Sequence, residues 1–418
     1  MAFPPFYEIR QALSAPALDD VERSVLEALR GSALSAKIPQ GGDIAITAGS
    51  RGIANVPVII GAIVAYVREC GGEPFIVPAM GSHGGATAEG QVATLADLGI
   101  TEESVEAPIR SSMETVVVGE TPSGVEVRMD RIAAEADGIV AMSRIKPHTD
   151  YSGPVESGLC KMLAIGLGNH EGATLVHSYG PKGMREMVPD SARVIIENSR
   201  VLLGLAVIEN SAAQTAYVEA VEPTDFAKRD NELLPRAKDW APKLPFDELD
   251  ILIIRWMGKD LSGTGIDTKV VGRLMDWREP DPPTPNIGTI GVLGLTPGSH
   301  GNAVGIGMAD LTTQRLVDSI SREATQTNAI TARSISRAKI PTTVASDREL
   351  LEVALGQATP PQQEAPRIAI IQDTLHLQTL HISEALLAEA EGNENVTVER
   401  GPMELILGPD GSLSEFPS

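Results

Sequence analysis

Aromatic residues and positive charge are both scarce in this chain of 418 residues. Phe, Trp and Tyr make up 3% of it, which leaves few rings to stack on nucleic-acid bases. The 34 Lys and Arg face 56 Asp and Glu, a formal net charge of −22. Because a field of that sign repels a phosphate backbone, we expect no nucleic-acid partner.

Cysteines and long apolar runs are also few. Cys70 and Cys160 are the two cysteines, too few for a four-cysteine iron–sulfur cluster or a disulfide framework. The sequence has no run of eighteen apolar residues, and its first ten residues lack the pattern of a signal peptide. We therefore expect a soluble, cytoplasmic protein with no membrane partner, and the sequence does not predict its oligomeric state.

Short apolar runs alternate with helical patterns along most of the chain, which predicts α/β domains with mainly parallel sheets flanked by helices. The predicted strands are 43–49, 73–79, 125–129, 138–143, 204–209, 250–257, 288–295 and 367–372. The predicted helices are 58–68, 92–99, 132–135, 226–234, 311–322, 347–354 and 383–391.

A polar, proline-bearing stretch over 222–245 indicates a domain boundary. We predict an N-terminal catalytic and cofactor-binding domain over 1–235 and a C-terminal α/β domain over 236–418, with an active-site cleft between them that opens and closes. The composition of 356–366 indicates a linker or surface loop.

Candidate site residues follow the predicted strands, where open α/β sheets bind ligands. Arg51 follows the strand 43–49 and either clamps a carboxylate or phosphate or is a solvated surface arginine. His83 lies in the turn Gly81-Ser82-His83 after the strand 73–79, as a general acid or base or as a structural turn residue. His148 follows the strand 138–143.

Lys161 lies in an otherwise apolar run, where an unpaired ammonium is costly. It is therefore paired, deprotonated or covalently modified, and Glu156 is a candidate ion-pair partner. His177 comes sixteen residues later, beyond a loop and a helical stretch, so that both side chains could face one pocket.

Three other features carry less chemistry. The glycines around Gly166 open no βαβ unit with an acidic residue at the next strand end, so they are a poor dinucleotide site. His300 follows the strand 288–295 and could contact a ligand. His376 and His381, on a helical stretch or its flank, are interpreted as structural or surface residues.

Taken together, five positions over roughly residues 40–180 resemble the nickel-dependent lactate racemase family. Gly81-Ser82-His83 is similar to the family's Gly-Thr-His turn, and Pro147-His148 matches its Pro-His pair. The family also has an arginine after the first strand of the site, and Arg51 matches it. It has a lysine followed sixteen residues later by a histidine, and Lys161 and His177 match this pair.

The resemblance implies nickel and a pyridinium-3,5-bisthiocarboxylic acid mononucleotide, the nickel-pincer nucleotide, as cofactors. It implies that Lys161 forms the thioamide tether and that His177 is the protein's nickel ligand. Arg51, Gly81 and Ser82 would contact the cofactor. Proteins that synthesise this cofactor are implied as partners.

The implied reaction is racemisation or epimerisation of a small anionic 2-hydroxy acid by reversible hydride transfer, with His83 and His148 as acid and base and Arg51 near the carboxylate. The sequence departs from the family at Ala48, where an aspartate is expected, and in a longer stretch between His148 and Lys161. In the second domain, the substrate residues expected by family resemblance have no clear match. Candidates there are Lys259, Lys269, Arg273 and His300, and a substrate other than lactate is open.

Two other functions stay open. A metal-dependent lyase or hydrolase could use His83, His148 and Asp150 around zinc, although no HxxxH-type spacing supports a zinc set. A non-catalytic homologue could bind the cofactor without turnover.

Overall fold

A computed structural model describes residues 3–12, 16–358 and 365–413. It divides into two compact units, one of residues 16–241 and the other of residues 3–12 together with the described residues from 242 onward. Of the predicted loop at 356–366, residues 359–364 lie outside the described residues.

The strands in chain order are β1 (Phe6–Gln11), β2 (Asp43–Ala48), β3 (Glu73–Pro78), β4 (Thr115–Glu120), β5 (Glu126–Asp130), β6 (Gly138–Arg144), β7 (Val201–Glu209), β8 (Thr215–Val221), β9 (Glu248–Met257), β10 (Asn286–Leu295), β11 (Leu311–Thr313), β12 (Thr342–Val344), β13 (Ile368–Ile371), β14 (Thr379–Ser383) and β15 (Val396–Met403).

The α-helices are α1 (Val21–Arg30), α2 (Leu34–Lys37), α3 (Val56–Glu69), α4 (Ala88–Asp97), α5 (Arg131–Glu135), α6 (Leu159–Lys161), α7 (Asn169–Ser178), α8 (Gly180–Asn198), α9 (Phe226–Trp240), α10 (Thr268–Val271), α11 (Gln314–Asp318), α12 (Arg322–Thr331), α13 (Asp347–Ala358) and α14 (Leu387–Gly392). A π-helical turn, Met162–Gly166, continues α6.

The unit of residues 16–241 is built on a five-stranded sheet in the order β3-β2-β6-β7-β8. The pairs from β3 to β7 are parallel, and β8 pairs antiparallel with β7. Ile44 and Ile46 of β2 face the core with α1 and α3, whereas Ala45 between them faces the core with α7, α8 and α9. Burial on both faces explains why these strands are continuous apolar runs.

The other unit is built on an eight-stranded sheet in the order β12-β11-β10-β9-β13-β14-β1-β15. The strands from β12 to β13 are parallel, and β14, β1 and β15 add antiparallel pairs. The strand β1 comes from the start of the chain and lies between β14 and β15. Leu252 and Ile253 of β9 face opposite cores.

The α/β class with mainly parallel sheets, predicted from the sequence, is confirmed. The prediction of one helix over 311–322 is wrong, because β11 and α11 occupy its first part. His381 lies on β14 and His376 precedes that strand, so neither is helical. No helix in the described part of the chain is long and apolar enough to cross a membrane.

Candidate functional site

Three neighbouring parallel strands, β3, β2 and β6, end at one edge of the sheet, and the candidate site residues follow them. Arg51 comes three residues after β2, His83 five residues after β3, and His148 four residues after β6. Parallel pairing brings these loops to the same edge. The topology therefore gathers residues that are far apart in sequence.

The loop after β6 is closed by one buried carboxylate. Lys146 pairs with Ser157 across the base of the loop, with the Lys146 amide donating to the Ser157 carbonyl at 3.2 Å. Inside it, the Glu156 carboxylate accepts from the His148 amide at 2.7 Å and the Gly153 amide at 3.1 Å. Its ion-pair partner is Lys238 of α9, at 2.7 Å. Glu156 thus pairs with Lys238, where the sequence offered Lys161 as a candidate partner.

His148 is enclosed by this loop, with only 7% of its surface exposed. Its ring packs on Tyr151 with the two centroids 4.5 Å apart. Burial lowers the pKa of His148 well below its usual range, and the nearby charge of Lys161 lowers it further, whereas Asp150 opposes both. The imidazole is therefore neutral at physiological pH.

Lys161 is the last residue of α6, and a buried carboxylate fixes the start of that helix. Asp230 of α9 accepts from the Leu159 amide at 3.0 Å and the Cys160 amide at 2.9 Å. The pKa of Lys161 is lowered to about 8. Burial is the main cause, and the charge of Arg51 also lowers it, whereas Asp150 raises it. A much larger fraction of this amine than of an ordinary lysine is thus neutral at physiological pH and can act as a nucleophile.

His177 lies in the last turn of α7 and is electrostatically coupled to Lys161. The pKa of His177 is lowered to about 4. Burial is the main cause, and the charge of Lys161 also lowers it, whereas Asp150 raises it. The ring nevertheless keeps an exposed surface, and Lys161 is also partly accessible. Both side chains are thus accessible from solvent.

Gly81 brings the His83 turn against the segment that carries Lys161 and His177. It has a φ of +61°, and its amide donates to the Gly166 carbonyl at 3.1 Å. A Cβ atom there would lie 3.1 Å from the Ala173 side chain and 3.2 Å from the Ile165 carbonyl. The turn therefore needs glycine both for its backbone conformation and for its packing.

We expect Gly81→Ala to destabilise the protein more than Gly85→Ala. Both glycines have positive φ, so each substitution costs about 1–2 kcal/mol in backbone strain. Only at Gly81 does the new methyl group meet neighbours, whereas nothing lies within 4 Å at Gly85. Overpacking adds about 1–3 kcal/mol. Urea unfolding of both variants checks this, and equal losses would contradict the packing argument.

His83 and Arg51 are joined through Ser50. Nδ1 of His83 lies 2.5 Å from Oγ of Ser50, the residue next to Arg51. Burial lowers the pKa of Arg51, and Asp150 opposes that effect. Arg51, His83, His148, Lys161 and His177 thus form one group of neighbouring side chains, called here the site cluster.

The structure adds Arg144 to this surface, a residue that sequence reasoning missed. It ends β6 and pairs with Glu209 at the end of β7. The pKa of Arg144 is lowered to about 10, mainly by burial and also by the charge of Arg51. The two guanidinium groups are therefore close. Its position at the end of a strand is the same signal that identified Arg51. No comparable signal distinguishes Glu156 or Asp230 in the sequence, since their roles depend on α9.

The candidate substrate residues of the other unit lie in different parts of it. Lys259 and His300 follow the carboxyl ends of the paired strands β9 and β10, and Lys259 Nζ donates to Oδ1 of Asn328 at 2.9 Å. Lys269 lies in α10 and is partly exposed.

Arg273 lies apart from Lys259 and His300. Its guanidinium donates to the Ile287 and Gly288 carbonyls, at the amino end of β10, and forms an ion pair with Asp310. The structure therefore does not bring Arg273 to the edge where Lys259 and His300 lie.

A metal site made of side chains alone is not found in the described ranges, where no group of three or more His, Cys, Asp or Glu has the required arrangement. One imidazole, His177, together with one reactive amine, Lys161, suits a different case, in which the ligand brings its own metal-binding atoms.

The reactivity of Lys161 leads to a pH prediction. Because its pKa is about 8, about half of its amine is neutral at pH 8, against under about 1% for an ordinary lysine. We expect acetylation of Lys161 by acetic anhydride to rise through pH 8, measured by peptide mass spectrometry with N-acetyl-lysine as internal reference. A rate that rises only with the reference amine would contradict the lowered pKa.

The fold of this chain is also found in a solved structure. The structure is similar to that of the lactate racemase apoprotein from Thermoanaerobacterium thermosaccharolyticum, with a TM-score of 0.55 and 16% identity, over 89% of this chain and 99% of that chain. At that identity the match shows a shared fold. A comparison with curated proteins finds no match.

The sequence of the N-terminal part is similar to a known family. Residues 9–179 match the family model described as the lactate racemase N-terminal domain. This stretch contains the whole site cluster. This part of the chain is therefore similar to the lactate racemase N-terminal domain, in line with the resemblance of the five positions.

Proposed function

We propose that this protein is a racemase or epimerase of a 2-hydroxy acid that acts by reversible hydride transfer with a nickel-pincer nucleotide tethered to Lys161. The observation that supports it is the site cluster: an amine of lowered pKa, two further imidazoles and a guanidinium gather beside His177 at one sheet edge. The family relation supplies the class of reaction.

The residues present fit the proposed cofactor. Lys161 is desolvated, and its lowered pKa makes the neutral amine, the form that is acylated, readily accessible. Acylation also removes a charge that its surroundings penalise. The neutral imidazole of His177 keeps an exposed surface and is a suitable nickel ligand. When bound, the cofactor accepts hydride from the Cα atom of the substrate and returns it.

The remaining side chains of the site cluster then have defined tasks. Oxidation of a hydroxy acid releases the hydroxyl proton, and reduction of the keto acid needs it back, so His83 and His148 hold and return a proton at the substrate oxygen. Arg51 and its neighbour Arg144 supply the positive charge that an anionic group needs in a chain of net charge −22. Lys259, Lys269 and His300 stay proposed substrate residues.

One experiment tests the proposal. The protein is made together with the enzymes that synthesise the cofactor, and its intact mass and nickel content are measured. We expect an adduct of a few hundred daltons on Lys161 and about one nickel per chain. The loaded protein is then given single enantiomers of lactate and of larger 2-hydroxy acids, and polarimetry follows interconversion.

Each outcome separates one function from the others. Interconversion of any hydroxy acid by the loaded protein supports an isomerase and identifies its substrate. An adduct without turnover of any acid in the panel would instead indicate a cofactor-binding homologue. Hydrolysis or elimination that needs zinc and no adduct would favour the lyase or hydrolase.

A further inference from the structure

One charged residue interrupts the apolar face of α9. Phe226, Leu233, Leu234 and Ala237 lie at helical spacing on that face and are buried in one core. Asp230 lies on the same face and is buried as well, with 2% of its surface exposed. An apolar side chain would fill this place without the cost of desolvating a charge. A carboxylate at this position therefore points to a role beyond packing.

The hydrogen-bond partners of Asp230 belong to the segment that carries Lys161. One carboxylate oxygen accepts from the Leu159 amide at 3.0 Å, and the other accepts from the Cys160 amide at 2.9 Å. The pKa of Asp230 is raised to about 6, mainly by burial, whereas the hydrogen bonds from these two residues lower it. The group is therefore ionised at pH 8, with neutral amides as donors.

The carboxylate takes the place of a helix cap. The helix α6 has three residues, too few to be stable alone, and its first amides need an acceptor. The N-cap residue is Gly158, which has no side chain to supply one. A Cβ atom at Gly158 would lie 2.3 Å from Oδ1 of Asp230. The glycine thus leaves the space that the carboxylate of α9 fills.

We propose that Asp230 is a positioning residue for Lys161, which holds α6 so that the amine stays in the site cluster. It bonds to the two residues that precede Lys161, so a shift of α6 moves the amine with it. The charges that shift the pKa of Lys161 are those of Asp150 and Arg51, so Asp230 acts through the backbone. Its part in tethering rests on the proposed function, whereas the position of the amine does not.

The pH profile of Lys161 separates an effect of position from an effect of charge. In Asp230→Asn, one amide keeps an acceptor and the other meets an N–H donor, so α6 should loosen. The cofactor-free parent and variant are acetylated with acetic anhydride over a series of pH values, followed by peptide mass spectrometry. We expect the midpoint for Lys161 to rise from about 8 toward the value of an ordinary lysine. Loss of a nearby anion would lower the midpoint instead, so an unchanged or lower midpoint overturns the proposal.

A relocated carboxylate provides the rescue. In Asp230→Ala the amides of α6 lose their acceptor, and Gly158→Asp returns one at the N-cap, where aspartate caps helices. The backbone of Gly158 is extended, with a φ of 167° and a ψ of −153°, so aspartate can adopt it. We expect the Lys161 midpoint to rise in Asp230→Ala and to return toward about 8 in the double variant. A double variant that keeps the raised midpoint would overturn the positioning role, and this pair decides the case if Asp230→Asn does not fold.

The same glycine gives a test of the contact by stability. In the parent, the new Cβ of Gly158→Asp meets the carboxylate of Asp230, so we expect the urea midpoint of unfolding to fall. In Asp230→Ala the space is open, and the same substitution should raise the urea midpoint. The tip of the Ile145 side chain is met in both backgrounds and cancels. A fall in both would show that the carboxylate does not act as the cap.

Adduct formation measures the effect on the proposed tether. During co-production with the synthesis enzymes, we expect Asp230→Asn to gain the adduct about 10²-fold more slowly than the parent, followed by intact mass over time. Asp239→Asn, at an exposed aspartate of α9, is the matched control and should keep the parent adduct rate and Lys161 midpoint. A full-rate adduct on Asp230→Asn would overturn the role in tethering. A parent without any adduct would overturn the proposed function alone, because the acetylation midpoint still decides whether Asp230 positions the amine.

Discussion

Lys161→Met is expected to abolish both the covalent adduct and the isomerase activity. Methionine matches the length of the lysine stem but offers no amine for acylation. Without the tether, the proposed hydride acceptor is not retained, and we expect turnover to fall by at least about 10⁶-fold, to background. Intact-mass spectrometry after co-production with the synthesis enzymes, followed by polarimetry, measures both losses.

The same variant is expected to fold at least as stably as the parent. At pH 7 the parent protein holds a desolvated ammonium whose folded pKa, about 8, lies below its ordinary value. Between about pH 8 and the ordinary pKa the unfolded chain binds more protons, so the destabilisation by this lysine is complete at neutral pH and is lost as the pH rises through that range. Lys182→Met, at an exposed lysine of α8, is the matched control and should keep the adduct. An adduct on Lys161→Met would contradict the tether.

His177→Ala is expected to separate nickel from the tether. This substitution leaves the amine of Lys161 in place, so the organic part of the adduct should still form. Changes to residues that support a metal ligand typically weaken metal binding by about 10–100-fold. The loss of the ligand itself should weaken nickel binding by more than that, and activity should fall with it. Nickel per chain, measured by atomic spectroscopy after dialysis, is compared with the adduct mass.

The matched control for this variant is His170→Ala, since His170 lies on the same helix, α7, and is exposed. It should retain both nickel and activity. Full nickel content in His177→Ala would remove His177 from the proposed ligand set and leave the Lys161 tether to be judged by its own variant.

Much of the N-terminal unit could be predicted from its sequence because its strands are buried on both faces. β2, β3 and β6 are continuous apolar runs that end near glycine or polar residues, so their positions and the loops after them are visible. Arg51, His83 and His148 follow from that pattern. Their proximity follows from parallel pairing, which the alternation of strands and helices predicts.

Other features depend on contacts that no local pattern encodes. β11 is three residues long and is recognisable only by its pairing with β10 and β12. The carboxylates of Glu156 and Asp230 matter because α9, some 70 residues away from the helix it caps, packs behind the site. Such roles are set by tertiary packing.

The position of β1 has a consequence for how the protein is made. This strand is translated before the other strands of its sheet, whereas its neighbours β14 and β15 are translated after them. Residues 16–241 hold their own sheet and can fold while synthesis continues. We therefore expect β1 to stay unpaired until β14 and β15 have left the ribosome, so that the eight-stranded sheet closes after the five-stranded one.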